Sequence, residues 1–203
     1  MHSNLSLSQH KLEQARFVAS PHCDARPEDT PVSLIVIHGI SLPAGQFGLG
    51  YIEDLFLGQL DCSADPSFAI LAGLRVSAHL LIRRTGELIQ YVPFNQRAWH
   101  AGVSCWQGNS ACNDFSIGIE LEGTDTQPYT DAQYAQLAQV VKALRAAYPN
   151  IPKHGVTGHQ HIAPGRKTDP GPYFDWPRLA CSAQVNPTTT AQPPPNSSTT
   201  TDR

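Results

Sequence analysis

The segment VSLIVIH, residues 32–38, is an almost unbroken run of apolar and mostly β-branched side chains. Such a run is typical of a strand that is buried on both faces of a sheet. The run ends at His38, and a glycine-rich stretch continues to Gly50. A buried strand that stops at a polar residue and enters a flexible loop is a common support for a functional site.

Further strands are predicted along the chain. FSIGIEL, residues 115–121, reads as a second central strand, with Glu120 near its carboxyl end. Residues 79–82 and 87–92 are short apolar segments on either side of Thr85-Gly86, a pattern that indicates a β-hairpin.

Helices are predicted between these strands. Residues 51–57 and 67–74 fit short helices, and the clearest helix covers residues 130–148 and ends before Pro149. This last helix carries one apolar stripe, formed by Tyr134, Leu137, Val141 and Leu144. Strands interleaved with helices predict an α/β fold, with a mixed β-sheet flanked by helices in a single domain.

The domain is expected to span residues 17–181, after an N-terminal extension of residues 1–16. Residues 157–176 are predicted to be loop-like. Residues 182–203 are rich in Thr, Pro and Ser, and we expect a disordered tail because the segment buries too little surface to offset its chain entropy.

Composition excludes several classes of partner. The net charge of −3 gives no reason to expect nucleic acid, and no apolar run approaches the roughly 20 residues that span a membrane. Residues 1–16 lack the continuous apolar core of a secretory signal. The five cysteines include no CxxC pair, which favours free thiols. We therefore predict a cytoplasmic protein without nucleic-acid or membrane partners.

Titratable side chains concentrate where a catalytic or metal site would form. His38 and Glu120 fall at the carboxyl ends of predicted central strands, where sites in α/β sheets gather. The segment GHQHIAPGRKTDPGP, residues 158–172, adds imidazole, ammonium and carboxylate groups in a proline-stiffened loop. Taken singly, each of the nine histidines fits an ordinary polar or core residue better than a ligand. Glu120 alone fits a solvated carboxylate, and Lys167 alone a surface charge.

Five segments together resemble one known family. RVSAHLLIRR, QYVPF, RAWHAGVS, CNDFSIGIELEGTD and the segment 158–172 are similar, in this order, to AmpD-type amidases. These are the 1,6-anhydro-N-acetylmuramyl-L-alanine amidases of the amidase/peptidoglycan-recognition superfamily. The resemblance covers roughly residues 17–179 and implies a zinc amidase domain with one Zn²⁺ per chain.

The resemblance also implies the roles of individual residues. His38, His159 and Asp169 match the zinc ligands, a set that leaves a fourth tetrahedral position for water. Glu120 matches the proton acceptor that takes a proton from the attacking water. Lys167 matches the lysine that stabilises the oxyanion.

The implied substrate is an anhydro-muropeptide, cut between the muramyl group and L-alanine in cytoplasmic peptidoglycan recycling. By family analogy, such an enzyme also affects β-lactamase induction. Arg75 matches an arginine that binds a stem-peptide carboxylate, and Trp99 and His100 match residues of the substrate groove. Core packing is an equally good interpretation of Trp99 and His100, and a better one of His79.

The sequence departs from the family pattern at three positions. Gly39 replaces an asparagine, and Ala111 replaces an arginine that some members carry. His161 replaces an expected aspartate, either as a competing ligand or as a surface residue. These changes bear on affinity and substrate range rather than on the reaction.

Three other functions compete with the cytoplasmic amidase. A non-catalytic peptidoglycan-binding module of the same superfamily is the first. A cysteine hydrolase using Cys105 or Cys112 is the second. A secreted lytic amidase is the third, and it is disfavoured by the expected lack of an export signal.

Overall fold

The computed structural model describes residues 5–192. Its α-helices are α1 (Tyr51–Leu57), α2 (Asp131–Ala147), α3 (His159–Ile162) and α4 (Trp176–Ala183), and 3₁₀ helices cover Pro66–Leu71 and Cys112–Asp114. The strands are β1 (Leu7–Ser8), β2 (Lys11–Leu12), β3 (Arg16–Phe17), β4 (Cys23–Ala25), β5 (Leu34–Ile40), β6 (Leu80–Ile82), β7 (Leu88–Gln90), β8 (Gln96–Ala98), β9 (Cys105–Trp106), β10 (Asn109–Ser110), β11 (Ser116–Glu122) and β12 (Val156–Gly158).

The main sheet is mixed and has six strands in the order β12-β5-β11-β6-β7-β3. The first four strands are parallel, whereas β7 runs antiparallel to β6. The register of β5 and β11 places Glu120 directly beside His38. The parallel strands thus bring their carboxyl ends, and both predicted site residues, to one edge of the sheet.

The two faces of β5 pack against different layers, as a strand buried on both faces must. Ile35 and Ile37 join the core formed with α2 and α4. Leu34 and Val36 pack on the opposite side against Ala101, Trp106 and Ile162. Because side chains alternate along a strand, His38 lies on the Val36 face, away from α2.

Helix α2 begins where its capping residues predict. The Thr130 hydroxyl accepts from the Gln133 backbone N–H, and the Gln133 side chain accepts from the Thr130 N–H. The predicted stripe is buried against the sheet. The mixed sheet, the flanking helices and the single-domain fold are confirmed.

The structure differs from the predicted helices and loops at two places. The segment predicted as a helix over 67–74 is a 3₁₀ helix that ends at Leu71. The predicted loop over 157–176 begins with β12 and α3. Strand β12 was missed because three residues beside β5 are too short for a period to be visible in the sequence.

The chain also packs beyond the predicted domain limits. Leu12, in the predicted N-terminal extension, is buried in the core. Val185 is 2% exposed, and Thr188 forms a bridge with Thr157, so residues 182–192 are ordered rather than a disordered tail. A single buried valine among polar residues gave no periodic signal. The predicted disorder of residues 193–203 lies outside the described residues.

Between residues 5 and 192, no helix combines the length and apolar character that crossing a membrane requires.

Candidate metal centre

Three neighbouring parallel strands supply the site. His38 lies near the end of β5, Glu120 lies beside it in β11, and His159 follows the last residue of β12. Asp169 arrives from the loop after α3, and its backbone carbonyl accepts a hydrogen bond from the Gln160 N–H. The sheet therefore fixes three of the four side chains, and one short loop places the fourth.

His38, His159 and Asp169 converge on one point. The two Nδ1 atoms are 3.0 Å apart, and Asp169 Oδ2 lies 3.2 Å from His38 Nδ1 and 3.1 Å from His159 Nδ1. Ligands on a tetrahedral zinc ion at about 2.0 Å stand about 3.3 Å from one another. The predicted ligand set is thus close enough to share one ion.

The ring orientation of His159 fits a metal ligand. Its Nε2 is 3.0 Å from the Ala101 carbonyl oxygen, which only accepts hydrogen bonds, so Nε2 carries the proton. A neutral His159 therefore presents the Nδ1 lone pair to His38 and Asp169. Burial and the nearby His159 lower the pKa of His38 to about 4, which keeps the His38 ring neutral. Two neutral imidazoles and a carboxylate are donors that zinc prefers.

Glu120 lies beside this triad. Its Oε1 is 4.0 Å from His38 Nδ1, and its buried Oε2 has no hydrogen-bond partner among the described residues. Burial, and then the charge of Asp169, raise the pKa of Glu120 well above its usual value. A carboxylate with one unpaired oxygen and a raised pKa is poised to accept a proton from water.

Lys167 lies in the exposed loop between His159 and Asp169. It is close enough for its charge to lower the pKa of both Glu120 and His38. The site therefore combines a triad that could hold a metal ion, a buried carboxylate and a nearby exposed ammonium group.

Sequence comparison agrees with this geometry. Residues 28–172 match the family model described as N-acetylmuramoyl-L-alanine amidase. The chain belongs to this amidase family. The predicted enzyme class and the resemblance to AmpD-type amidases are therefore confirmed.

Individual relatives support the same assignment. The chain is 63% identical to the 1,6-anhydro-N-acetylmuramyl-L-alanine amidase AmpD of Escherichia coli K12, over 85% of this chain and 94% of the relative. It is 53% identical to AmpD of Haemophilus influenzae, again over 85% and 94%. A crystal structure of a selenomethionine AmpD derivative superposes with a TM-score of 0.86 at 60% identity, covering 88% of this chain and 99% of that one.

In this amidase, two of the three predicted substrate residues, Arg75 and Trp99, lie together. Trp99 donates from Nε1 to Asp24 Oδ1, stacks on His22 and lies 5.8 Å from the Arg75 guanidinium carbon. Among the described residues, no hydrogen bond joins Arg75 or Trp99 to the metal-binding triad. His100, by contrast, contacts the triad directly, with Nδ1 2.9 Å from His38 Nε2. Substrate contact remains a prediction for all three.

Two departures from the amidase pattern have structural explanations. A Cβ at Gly39 would lie 2.3 Å from the Tyr129 hydroxyl, so this tyrosine occupies the space of a larger side chain. His161 is buried; its Nδ1 accepts from the Gly158 N–H and its Nε2 lies 3.0 Å from Gln160 Nε2. It is therefore neither a surface residue nor a member of the ligand group. Nothing in the structure explains Ala111.

The cysteine-hydrolase alternative finds no support. Cys105 and Cys112 are both buried, and burial raises the pKa of the Cys112 thiol to about 11. Within residues 5–192, neither thiol is hydrogen-bonded to a histidine. Neither is activated as a nucleophile requires.

Sequence reasoning missed two supporting groups of the site. The Ala101 carbonyl orients His159, but a backbone acceptor leaves no signature in a side-chain pattern. Ser116 contacts His100, and its signal was the one hydroxyl side chain in the mostly apolar strand FSIGIEL.

Proposed function

We propose that this amidase uses one zinc ion to hydrolyse the amide bond between (1,6-anhydro-)N-acetylmuramic acid and the L-alanine of the stem peptide. We propose that it acts on anhydro-muropeptides in the cytoplasm, in peptidoglycan recycling. Relatives named 1,6-anhydro-N-acetylmuramyl-L-alanine amidase, at 53–64% identity, support this substrate. The five free cysteines support a reducing compartment.

The observation that carries the proposal is the convergence of His38, His159 and Asp169 beside Glu120. A zinc ion held by these ligands would supply Lewis acidity toward the amide carbonyl and toward water. Glu120, whose Oε2 has no hydrogen-bond partner among the described residues, would accept the proton next to these buried ligands.

The chain's own residues then complete the hydrolysis. Glu120 takes a proton from the water whose oxygen attacks the lactyl carbonyl carbon. The Lys167 ammonium stabilises the resulting oxyanion. When the C–N bond breaks, Glu120 returns the proton to the leaving nitrogen. The proton left on the new carboxyl group also passes to this nitrogen, so the products are a muramyl carboxylate and a stem peptide with an L-alanine ammonium group.

We assign substrate binding to Arg75 and Trp99, which lie together. The Arg75 guanidinium is suited to a stem-peptide carboxylate, and the exposed part of the Trp99 ring to a sugar face. A structure of the amidase AmiD of Escherichia coli is described as a complex with anhydro-N-acetylmuramic acid-L-Ala-D-gamma-Glu-L-Lys. This relative, 33% identical with a TM-score of 0.56, supports a muropeptide ligand.

Mass spectrometry of the products tests the proposal. Anhydro-muropeptide and intact cell wall are each incubated with the metal-free protein, with and without added zinc. We expect free stem peptide from the anhydro-muropeptide alone, and only with zinc. Release from intact wall would instead indicate a lytic amidase. Release without metal and lost in Cys112→Ser would indicate thiol chemistry.

A further inference from the structure

His100 makes hydrogen bonds through both ring nitrogens. Its Nδ1 is 2.9 Å from Nε2 of His38, and its Nε2 is 3.2 Å from the Ser116 hydroxyl oxygen. The same hydroxyl lies 2.5 Å from the Cys112 carbonyl oxygen. These contacts form one hydrogen-bonded series that leads from His38 of the triad into the core.

The Cys112 carbonyl, at the end of this hydrogen-bonded series, determines which group donates and which accepts in each of its bonds. A carbonyl oxygen only accepts, so the Ser116 hydroxyl donates to Cys112. Ser116 must then accept from His100 Nε2–H, which leaves Nδ1 of a neutral His100 as an acceptor. His38 therefore donates from Nε2–H, and its Nδ1 lone pair faces His159 and Asp169. A metal ligand requires that tautomer.

The backbone is built to hold the His100 ring in this place. A Cβ at position 118 would lie 2.4 Å from His100 Cγ, so Gly118 lets the ring rest on β11. The Asn113 side-chain oxygen accepts from the backbone N–H groups of His100 and Ala101, at 3.1 Å and 2.8 Å. The ring is therefore positioned by its packing on Gly118 of β11 and by the hydrogen bonds of Asn113 to the adjacent backbone.

We infer that His100 and Ser116 are positioning residues that hold His38 in the tautomer and orientation needed for metal binding. The inference rests on the proposed zinc site. Partners of metal-bound histidines orient the ring, and their loss typically weakens metal affinity about 10–100-fold. A positioning role explains why both ring nitrogens of His100 are hydrogen-bonded within the protein. A role in direct substrate binding would not explain these two bonds.

The test is zinc affinity of the full chain, measured by competition with a chromophoric chelator. His100→Phe keeps a ring but removes the acceptor, and we expect zinc to bind about 10–100-fold more weakly. His100→Asn places an amide oxygen near the position of Nδ1, so this variant should recover most of the affinity. Ser116→Ala removes the anchoring hydroxyl and should give a smaller loss than His100→Phe.

His22→Phe is the control, because His22 is a buried histidine whose Nδ1 is 3.0 Å from the Val76 carbonyl oxygen and which, among the described residues, makes no hydrogen bond to the triad. Its zinc affinity should equal that of the wild type. Unchanged affinity in a folded His100→Phe, or an equal loss in His22→Phe, overturns the inference. If His100→Phe does not fold, unchanged affinity in Ser116→Ala overturns it.

The experiment separates this inference from the proposed function. A wild-type protein that binds no zinc contradicts the proposed function. Tight zinc binding by both the wild type and His100→Phe contradicts only the positioning role.

Discussion

At the scale of single residues, Glu120 has the most unusual environment in the site. Its carboxylate is buried beside His38, and one oxygen lacks a partner among the described residues. A group in such a place costs stability when it is charged. Packing does not explain a carboxylate at this position, whereas the proposed proton transfer requires one.

Replacing Glu120 by glutamine separates its effect on turnover from its effect on stability. The amide keeps the size of the side chain but accepts no proton at neutral pH, so turnover should fall about 10²–10⁴-fold. Zinc affinity should persist, and the melting temperature should stay equal or rise because a buried carboxylate is removed. Steady-state kinetics and a thermal melt measure both. Wild-type turnover in the variant would remove Glu120 from the mechanism.

Lys167 gives a second prediction at this scale. Its side chain is exposed, so Lys167→Ala should fold and bind zinc normally. Loss of a charge that stabilises the oxyanion should lower kcat about 10²–10³-fold. Lys142→Ala, a lysine exposed on α2, is the control and should behave as the wild type. Equal kcat in the two variants would show that Lys167 takes no part.

At the scale of elements, the end-to-end match of β5 and β11 creates the site. Their parallel register sets Glu120 beside His38, and β12 ends just before His159. Gly118, in the middle of β11, admits the His100 ring at a distance that no side chain allows. The strand thus supplies the proposed proton acceptor, Glu120, and the glycine on which the ring of His100 packs.

Gly118→Ala should disturb the packing of the His100 ring on β11. The added methyl group meets the His100 ring, and relieving such a clash in a packed interior costs about 1–3 kcal/mol. We expect a lower midpoint in urea unfolding and weaker zinc binding. Gly50→Ala is the control, because a Cβ there meets only Asp54 Oδ2, at 3.8 Å. A Gly118→Ala protein as stable as Gly50→Ala would contradict the close packing.

At the scale of the whole molecule, the chain after α4 completes the sheet edge. The Thr188 N–H donates to the Val156 carbonyl, and the Thr157 hydroxyl donates to the Thr188 carbonyl. Val185 fills the core beneath. These contacts cover β12, which carries His159 into the site.

Two truncated chains test whether residues 184–192 stabilise the fold. A chain that ends at Ala183 loses the burial of Val185, worth about 1.5–3 kcal/mol, and should melt several degrees lower, at roughly 2–4 °C per kcal/mol. A chain that ends at Gln192 keeps all the described contacts and is the matched control; it should melt like the full-length protein. Equal melting temperatures for the two truncated chains would show that residues 184–192 contribute nothing.

The sequence by itself determined the central strands and the helix over 130–148, and through the family resemblance it predicted the residues of the candidate site. Long apolar runs, helical periodicity and distinctive motifs are local signals, and each can be read without a fold. His38, His159 and Asp169 were predicted together as ligands for this reason.

Only the tertiary structure decided how those residues support one another. Short edge strands such as β12, the packing of Val185 and the contact of His100 with His38 all join segments distant in sequence. No local pattern specifies which atoms meet across such distances, because partners, ring orientation and burial follow from the packing of the whole chain. The residue types are written in the sequence, whereas the tautomer of a histidine is set by its neighbours in space.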